Sequence, residues 1–388
     1  MTRRSTTLGL VTAALLLACG SPPTPGGDEP LSVATVLGLG ETEGFRQALE
    51  PREFSFPADH GPHPEFKTEW WYWTGHLESR DRRRFGYQLT FFRSGLLPPA
   101  ATPQKPASEW SPRQLFMAHF AVTDIDGQTF QAFERFGRGS AGLAGAQAVP
   151  FRVWLDDWRA AEGDAPGGVE LVARAGSPDF PIALELELAP GKPVVLHGEG
   201  GLSRKGSRPG AASFYYSLPR QPSSGLLRLG SETHEVQGQS WLDREWSTSL
   251  LADNESGWDW LGAQLDDGRE LMLFRLRARD GTTTWVAGSL IDADGSSRSL
   301  RTQSTEVRTT RSWTSPATGV TYPTGFEIEL PAETMTLKIA AQHDNQELRG
   351  SFVYWEGVVT VTGTQGARPL TGRGYLELTG YGRERPRK

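Results

Sequence analysis

Apolar and polar residues alternate in short runs through most of the chain after residue 54. Such runs occupy residues 85–91, 182–188, 326–330 and 358–361. An alternation with a period of two gives a strand one dry face and one wet face. Asp-Gly dipeptides, which favour tight hairpin turns, occur at residues 126–127, 267–268, 280–281 and 294–295. The pattern predicts an antiparallel, all-β, hairpin-connected protein built as barrels or sandwiches.

The composition agrees with this fold class and excludes several functions. The 388 residues include 45 Gly and 27 Pro, which break long helices and favour turns. The net charge of −6 offers no basic surface, so we expect no nucleic-acid partner. The single Cys excludes a disulfide framework and a cysteine-rich zinc site.

The first residues have the form of an export signal. Arg3 and Arg4 precede an apolar run at residues 8–18, which is too short to span a bilayer. Cys19 follows small residues, as in the bacterial lipobox, where the Cys is lipidated and becomes the new N-terminus. We therefore predict a lipoprotein signal peptide at residues 1–18 and lipidation of Cys19. The alternative is an ordinary cleaved signal with a chance Cys.

This signal predicts a protein exported and lipid-anchored in the bacterial cell envelope. Gly rather than Asp follows Cys19, which favours the outer membrane over the inner membrane. Residues 19–53, rich in Pro and Gly at first, are predicted to be a flexible tether between the anchor and a folded body.

Two internal repeats indicate a duplicated domain. The segment Trp-Tyr-Trp-Thr-Gly at residues 71–75 recurs as Trp-Asp-Trp-Leu-Gly at residues 258–262. The segment Gly-Gln-Ser-Trp-Leu-Asp at residues 238–243 is matched by Gly-Arg-Gly-Tyr-Leu-Glu at residues 372–377. Matching first and last strands predict two similar β-domains in tandem. A Trp on the first strand of such a barrel is expected to plug its floor.

Several motifs resemble the AttH/carotenoid 1,2-hydratase family. The opening motif is Thr-Glu-Trp-Trp-Tyr-Trp-Thr-Gly-His-Leu at residues 68–77. Further motifs follow in the same order at residues 117–124, 196–201, 214–217 and 238–246. The resemblance implies two tandem lipocalin-like (calycin) antiparallel β-barrel domains packed together, at residues 54–248 and 249–388.

The chain departs from this family at one position that matters for activity. Carotenoid hydratases carry His-Asp-His-x-Trp at the end of the first domain, whereas this chain has Leu-Asp-Arg-Glu-Trp at residues 242–246. Asp243 and Trp246 are kept and both His positions are lost. This difference fits the broader AttH-type branch better than the hydratases themselves.

Two acidic residues are the main candidates for chemistry. Hydrating an alkene needs a proton donor, and a carboxyl kept protonated in an apolar pocket can provide one. Glu69 lies beside Trp71 and Trp73, and Asp243 lies beside Trp241 and Trp246. Aromatic faces would also stabilise a carbocation. The alternative is that either acid forms a buried pair with Arg93 or Arg244, while the Trp side chains fill the barrel.

His119 is the third predicted catalytic residue, as a base or water carrier, and with Tyr216 it would orient the ligand. Strand alternation places Glu69, Trp71 and Trp73 on one face of their strand, and Trp241, Asp243 and Glu245 together on another. The predicted ligand-binding residues are Trp70, Trp71, Tyr72, Trp73, His76, His197, Tyr215, Tyr216, Trp241 and Trp246. No His pair has a metal-binding spacing, so we expect no metal and no cofactor.

Two functions remain open at this point. In the first, a bulky apolar molecule (isoprenoid, polyketide or lipid) binds in a barrel or in a cleft between domains and undergoes acid-assisted hydration or hydrolysis. In the second, the protein is a non-catalytic ligand-binding lipoprotein that works with an ABC-type transporter of the envelope. A purely structural envelope protein is a third, less favoured interpretation.

Overall fold

A computed structural model describes residues 42–99, 113–249, 251–252 and 254–382. Within these residues the regular structure consists of β-strands and three short 3-10 helices, Ala58–His60, Thr302–Ser304 and Pro331–Glu333. None of the described helices has the length and apolarity needed to cross a bilayer. The predicted signal peptide and Cys19 lie outside the described residues.

The first half of the chain forms a 13-stranded antiparallel sheet. Its strands are β1 (Thr68–Ser79), β2 (Arg84–Gly95), β3 (Gln114–Asp124), β4 (Thr129–Arg138), β5 (Ala144–Gln147), β6 (Arg152–Leu155), β7 (Trp158–Glu162), β8 (Val169–Gly176), β9 (Pro181–Leu188), β10 (Val195–Leu196), β11 (Leu202–Arg204), β12 (Ala212–Leu229) and β13 (Glu232–Ser249). Their order in the sheet is β4-β3-β2-β1-β13-β12-β9-β8-β7-β6-β5, with β10 and β11 paired to β12.

The second half forms a 10-stranded antiparallel sheet. Its strands are β14 (Glu255–Leu265), β15 (Glu270–Ala278), β16 (Thr283–Ile291), β17 (Ser297–Arg301), β18 (Glu306–Thr314), β19 (Thr321–Leu330), β20 (Met335–Ala341), β21 (Glu347–Arg349), β22 (Val353–Gln365) and β23 (Arg368–Leu378). Their order is β17-β16-β15-β14-β23-β22-β20-β19-β18, with β21 paired to β22.

Both sheets curl into near-barrels around their own apolar cores. In each sheet the first strand pairs with the last, β1 with β13 and β14 with β23. This shared arrangement confirms the predicted all-β fold of two lipocalin-like barrel domains. The chain passes from one sheet to the other between Ser249 and Glu255.

The two tryptophan repeats face opposite sides of their barrels. Trp71 and Trp73 fill the core of the first near-barrel, whereas Trp260 belongs to the cluster between the domains. The two repeats differ by one residue in their strand register. Tyr72, the second residue of its repeat, pairs with Asp243 on the last strand of the first sheet, whereas Trp260, the third residue of its repeat, pairs with the matching Glu377 in the second. The expected role as a barrel plug therefore holds for the first repeat and is wrong for the second.

The outer faces of the two near-barrels pack tightly against each other. An apolar cluster that includes Tyr72, Trp241 and Trp260 joins them. The His76 ring is buried at this junction and lies 2.8 Å from the carbonyl oxygen of Gly374. A Cβ atom built on Gly86 would lie 2.0 Å from Val358 Cγ1, so only glycine fits at this contact. The domains are thus fixed by direct side-chain packing.

The folded body begins before the first strand. Phe45 and Ala48 are buried, and the backbone amide of Arg46 donates to the carbonyl oxygen of Glu65. The described part of the segment predicted as a tether, from residue 42 to residue 53, therefore includes residues packed on the first domain.

Candidate functional site

A cleft lies at the junction of the two domains. About 690 Å³ of space lies between its walls when the open solvent at its mouth is included. We define the cleft by its lining residues: Trp70, Tyr72, Gln88, Thr90, Phe92, Lys205, Asp243 and Glu245 from the first domain, with Leu251, Trp258, Trp260, Phe274, Leu276, Tyr354, Glu356 and Glu377. The walls are thus mainly aromatic and aliphatic, with four carboxyl groups among them.

The other spaces in the protein are less suited to an apolar ligand. The second near-barrel holds only a small apolar space near Ile328 and Ile339. Two larger depressions, of about 1320 and 1360 Å³, are lined near His197 and near Gln237 respectively, and neither contains Asp243. The cleft is therefore the space that combines apolar walls with Asp243.

Asp243 is buried and faces the cleft from β13. Its Oδ1 accepts hydrogen bonds from Trp241 Nε1, at 2.6 Å, and from the Ser217 hydroxyl. Its Oδ2 lies 2.5 Å from the hydroxyl of Tyr215. Burial raises the pKa of Asp243 to about 7, although these three hydrogen bonds act to lower it.

A buried chain of polar groups supports Asp243 from behind. Ser217 Oγ lies 2.6 Å from His197 Nε2, and His197 Nδ1 lies 2.9 Å from Ser289 Oγ of the second domain. Since Ser217 donates its proton to Asp243, it accepts one from Nε2, which fixes the tautomer of His197. Burial and the charge of Lys205 lower the pKa of His197 to about 3, so this ring is neutral at physiological pH.

A second acidic pair faces the cleft from the other domain. Glu356 and Glu377 are direct partners across β22 and β23. The Tyr72 hydroxyl donates to Glu356 Oε1 across the domain junction. Burial and the neighbouring Glu377 raise the pKa of Glu356 well above its usual range. Burial, Asp243 and Glu245 raise the pKa of Glu377 to about 8, so both groups hold protons near neutral pH.

Lys205 is the cation of the cleft. Its Nζ lies 2.9 Å from Glu245 Oε1 and 3.8 Å from the ring centroid of Phe274. Lys205 also lies 5.0 Å from the ring centroid of Tyr215, on the side of Asp243. One of the four carboxyl groups of the cleft is therefore paired with a positive charge, whereas the pKa values of Asp243, Glu356 and Glu377 are raised.

Glu69 is not among the residues that line the cleft. Its carboxylate is bonded to the guanidinium groups of Arg93 and Arg244, all three side chains being buried. Burial acts to raise the pKa of Glu69, but the charges of Arg93 and Arg244 hold it far below its usual range. The alternative interpretation of the sequence, in which this acid forms a buried ion pair with arginine, therefore agrees with the structure. An ionised Glu69 outside the cleft gives no support to its expected role as a proton donor.

Several other predicted residues line the cleft or contact the residues that line it. Trp70 and Tyr72 line the cleft, and Trp241 and Tyr215 bond directly to Asp243 or its partners. His119 lies behind the wall, with Nδ1 2.6 Å from the Tyr354 hydroxyl and Nε2 3.2 Å from Glu134.

Four of the predicted ligand-binding residues are away from the cleft. Tyr216 and Trp246 pack together on the opposite face of the first domain, where the Tyr216 hydroxyl lies 2.6 Å from His60 Nδ1. Trp71 and Trp73 fill the first core. These residues therefore do not contact a ligand in the cleft.

The sequence-based prediction missed Glu356, Glu377, Lys205 and Tyr354. A signal existed for Glu377, because the second repeat matches it to Asp243. Glu356 follows Tyr354 and Trp355 in the sequence, but nothing in the sequence places it near the first domain. Within the described part of the chain, no three His, Cys, Asp or Glu side chains are grouped so as to ligate one metal ion.

Comparisons with known proteins agree with this architecture. The sequence profile of the AttH-like family matches residues 47–381. A candidate AttH protein from Nitrosomonas europaea has 37% sequence identity and a TM-score of 0.76, covering 86% of this chain and 100% of its own. Kievitone hydratase from Nectria haematococca has 13% identity and a TM-score of 0.64, covering 87% of this chain and 97% of its own, which shows a common fold. A comparison with curated proteins gives no match.

Proposed function

Because this chain belongs to the AttH-like family, we propose that it is a hydratase-like barrel protein that binds a bulky apolar molecule in the cleft and adds water to a carbon–carbon double bond. The ligand class is an isoprenoid, a polyketide or a lipid. The name of the structural neighbour kievitone hydratase supports hydration over hydrolysis, the other reaction that the sequence left open.

One observation carries this proposal: Asp243 is an acid in an apolar, aromatic-walled space. Because burial raises its pKa to about 7, a large fraction of the molecules hold a carboxylic acid there at neutral pH. A general acid is most useful when its pKa lies near the working pH. The Trp241 and Ser217 bonds to Oδ1 and the Tyr215 bond to Oδ2 hold the group in one orientation.

The proposed step is a proton transfer followed by addition of water. Asp243 gives its proton to one alkene carbon, and the electron pair of the double bond forms the new carbon–hydrogen bond. The indole faces of Trp70, Trp258 and Trp260 stabilise the positive charge left on the other carbon. Water adds to that carbon, and the proton that it releases restores the acid form of Asp243.

Native mass spectrometry of the protein purified from its own host tests the binding part. We expect an apolar molecule to co-purify, and we expect the wild-type protein to convert it to a product heavier by one water. Asp243→Asn should keep the ligand bound and lower turnover by about 100-fold or more, the usual contribution of a general acid. The control Asp126→Asn changes the same group in an exposed turn and should leave turnover unchanged.

The alternative function makes a different prediction in the same experiment. A ligand that stays bound and is never converted by the wild-type protein contradicts the enzymatic proposal. That result instead supports a non-catalytic binder that delivers its ligand to an ABC-type transporter of the envelope.

We also propose that the protein is exported and anchored through a lipidated Cys19, outside the described residues. Cys19→Ala should move the protein from the membrane fraction to the soluble fraction, because a lipidated N-terminal Cys is what holds the body at the bilayer. Mass spectrometry of the mature N-terminal peptide checks the acylation directly. An unmodified peptide that begins after a different cleavage site would contradict the anchor.

A further inference from the structure

One carboxyl oxygen of Glu356, Oε2, accepts and donates no hydrogen bond among the described residues. The side chain is buried, and its Oε1 accepts a hydrogen bond from the Tyr72 hydroxyl. A buried polar atom without a partner costs free energy, so such an atom at the wall of a binding cleft suggests that a ligand completes it.

The neighbouring Tyr354 hydroxyl lies near Glu356 and acts to lower the pKa of that carboxyl. It lies 2.6 Å from His119 Nδ1, and the other ring nitrogen lies 3.2 Å from a Glu134 carboxylate oxygen. Tyr354 is thus bonded to His119, and its approach to Glu356 leaves Oε2 without a hydrogen bond of ordinary geometry.

The groups around Glu356 favour a protonated Oε2. Glu377 faces it from β23 as its direct strand partner, and two buried carboxyl groups so close do not both ionise. Tyr72 from β1, Tyr354 from its own strand and Tyr375 from β23 complete the titratable groups that act on it. None of these groups is a cation, and burial acts in the same direction by raising the pKa of Glu356.

We propose that Glu356 is the polar recognition site of the cleft, and that its Oε2–H donates a hydrogen bond to a carbonyl oxygen on an otherwise apolar, ring-containing ligand. The proposal rests on the proposed function and narrows its substrate class. A ligand that met both acids would have a double bond near Asp243 and an oxygen acceptor near Glu356. The flat indole walls of Trp70 and Trp258 favour a fused or conjugated ring between them.

Two probes of one shape test this site without knowledge of the natural ligand. They are 2-acetylnaphthalene and 2-isopropenylnaphthalene, which differ in having a carbonyl oxygen or a methylene group at the same place. Equilibrium dialysis against the intact protein at pH 6 gives both dissociation constants. We expect the acetyl probe to bind about 10-fold more tightly, as one hydrogen bond in a buried site allows.

Variants of Glu356 separate hydrogen bonding from shape. Glu356→Leu removes the donor and should reduce the preference to none. Glu356→Gln keeps an N–H donor and should retain the preference. Tyr375→Phe removes the nearby unpartnered hydroxyl and should keep the preference.

The outcomes distinguish this inference from the proposed function. Equal binding of both probes to the wild-type protein, or a preference that survives Glu356→Leu in a chain with unchanged near-ultraviolet circular dichroism, overturns the recognition site alone. Failure of both probes to bind overturns the apolar cleft as a binding site, and with it the proposed function as well as this inference.

Discussion

At the scale of single residues, strand alternation decides which acid can do chemistry. Asp243 and Arg244 are neighbours in sequence, yet Asp243 faces the cleft and Arg244 faces the opposite side, where it holds Glu69. The two candidate acids therefore have pKa values shifted in opposite directions. Burial without a paired cation raises the pKa of Asp243 to about 7, whereas two guanidinium groups lower the pKa of Glu69.

Ser217→Ala should raise the pKa of Asp243 further. The Ser217 hydroxyl bonds to Oδ1 and favours the ionised form, so removing it should raise the pKa by about one pH unit, the usual effect of a hydrogen bond to a charged group. Carbon-13 NMR of labelled aspartate checks this shift, with the Asp243 signal assigned by its loss in Asp243→Asn. The acid form should prevail below pH 7 in the wild-type protein and disappear above it. A midpoint near 4 would contradict the account.

Glu69→Gln should destabilise the fold and leave ligand binding in the cleft unchanged. Removing one partner of a buried ion pair leaves the charges of Arg93 and Arg244 unbalanced, which typically costs about 3–5 kcal/mol. Urea unfolding measures this cost. The control Glu65→Gln breaks a long, exposed ion pair with Arg46 and should cost less than about 1 kcal/mol. Weaker binding of 2-acetylnaphthalene to Glu69→Gln would instead give Glu69 a role in the site.

The sequence predicted these residues only in part. Alternation correctly grouped Trp241, Asp243 and Glu245 on one face, because a period of two follows from strand geometry. It could not say whether that face points into a barrel or towards a second domain. Glu356 could not be selected at all, since its role depends on Tyr72 approaching from a strand far away in sequence.

At the scale of elements, strands of the two near-barrels are in direct contact beside the cleft. One close contact lies between β2 and β22, where Gly86 meets the side chain of Val358. Trp70 and Glu356, elsewhere on the facing walls, line the cleft. Docking is therefore fixed by small residues on one side and by cross-domain hydrogen bonds such as that from Trp260 Nε1 to the Tyr215 hydroxyl, at 3.0 Å.

Gly86→Ala should weaken this docking. The new methyl group would overlap Val358 Cγ1, and overpacking of this kind costs about 1–3 kcal/mol. Thermal unfolding should show a lower midpoint for Gly86→Ala. Adding Val358→Ala creates room for the methyl group, so the double variant should lose less stability than the two single changes together. Strict additivity of the two effects would show that the two strands are not in contact.

At the scale of the whole molecule, the packing of two similar barrels forms a candidate site that neither barrel contains by itself. The first domain supplies Asp243 and the second supplies Glu356 and Glu377, on corresponding last strands or their neighbours. The repeats in the sequence predicted two barrels correctly. They left open whether a ligand binds in a barrel or in a cleft between domains, and the hollow expected in the first lipocalin-like barrel is filled here by Trp71, Trp73 and their neighbours.

A crystal of the protein soaked with 2-bromonaphthalene tests the central claim, that the apolar ligand site is the cleft between the barrels. Anomalous scattering from bromine locates the probe without any assumption about its orientation. The account predicts a peak within contact distance of Trp70, Trp258 or Trp260. A peak inside either near-barrel, or a cleft that stays empty at a saturating concentration of the probe, would contradict it.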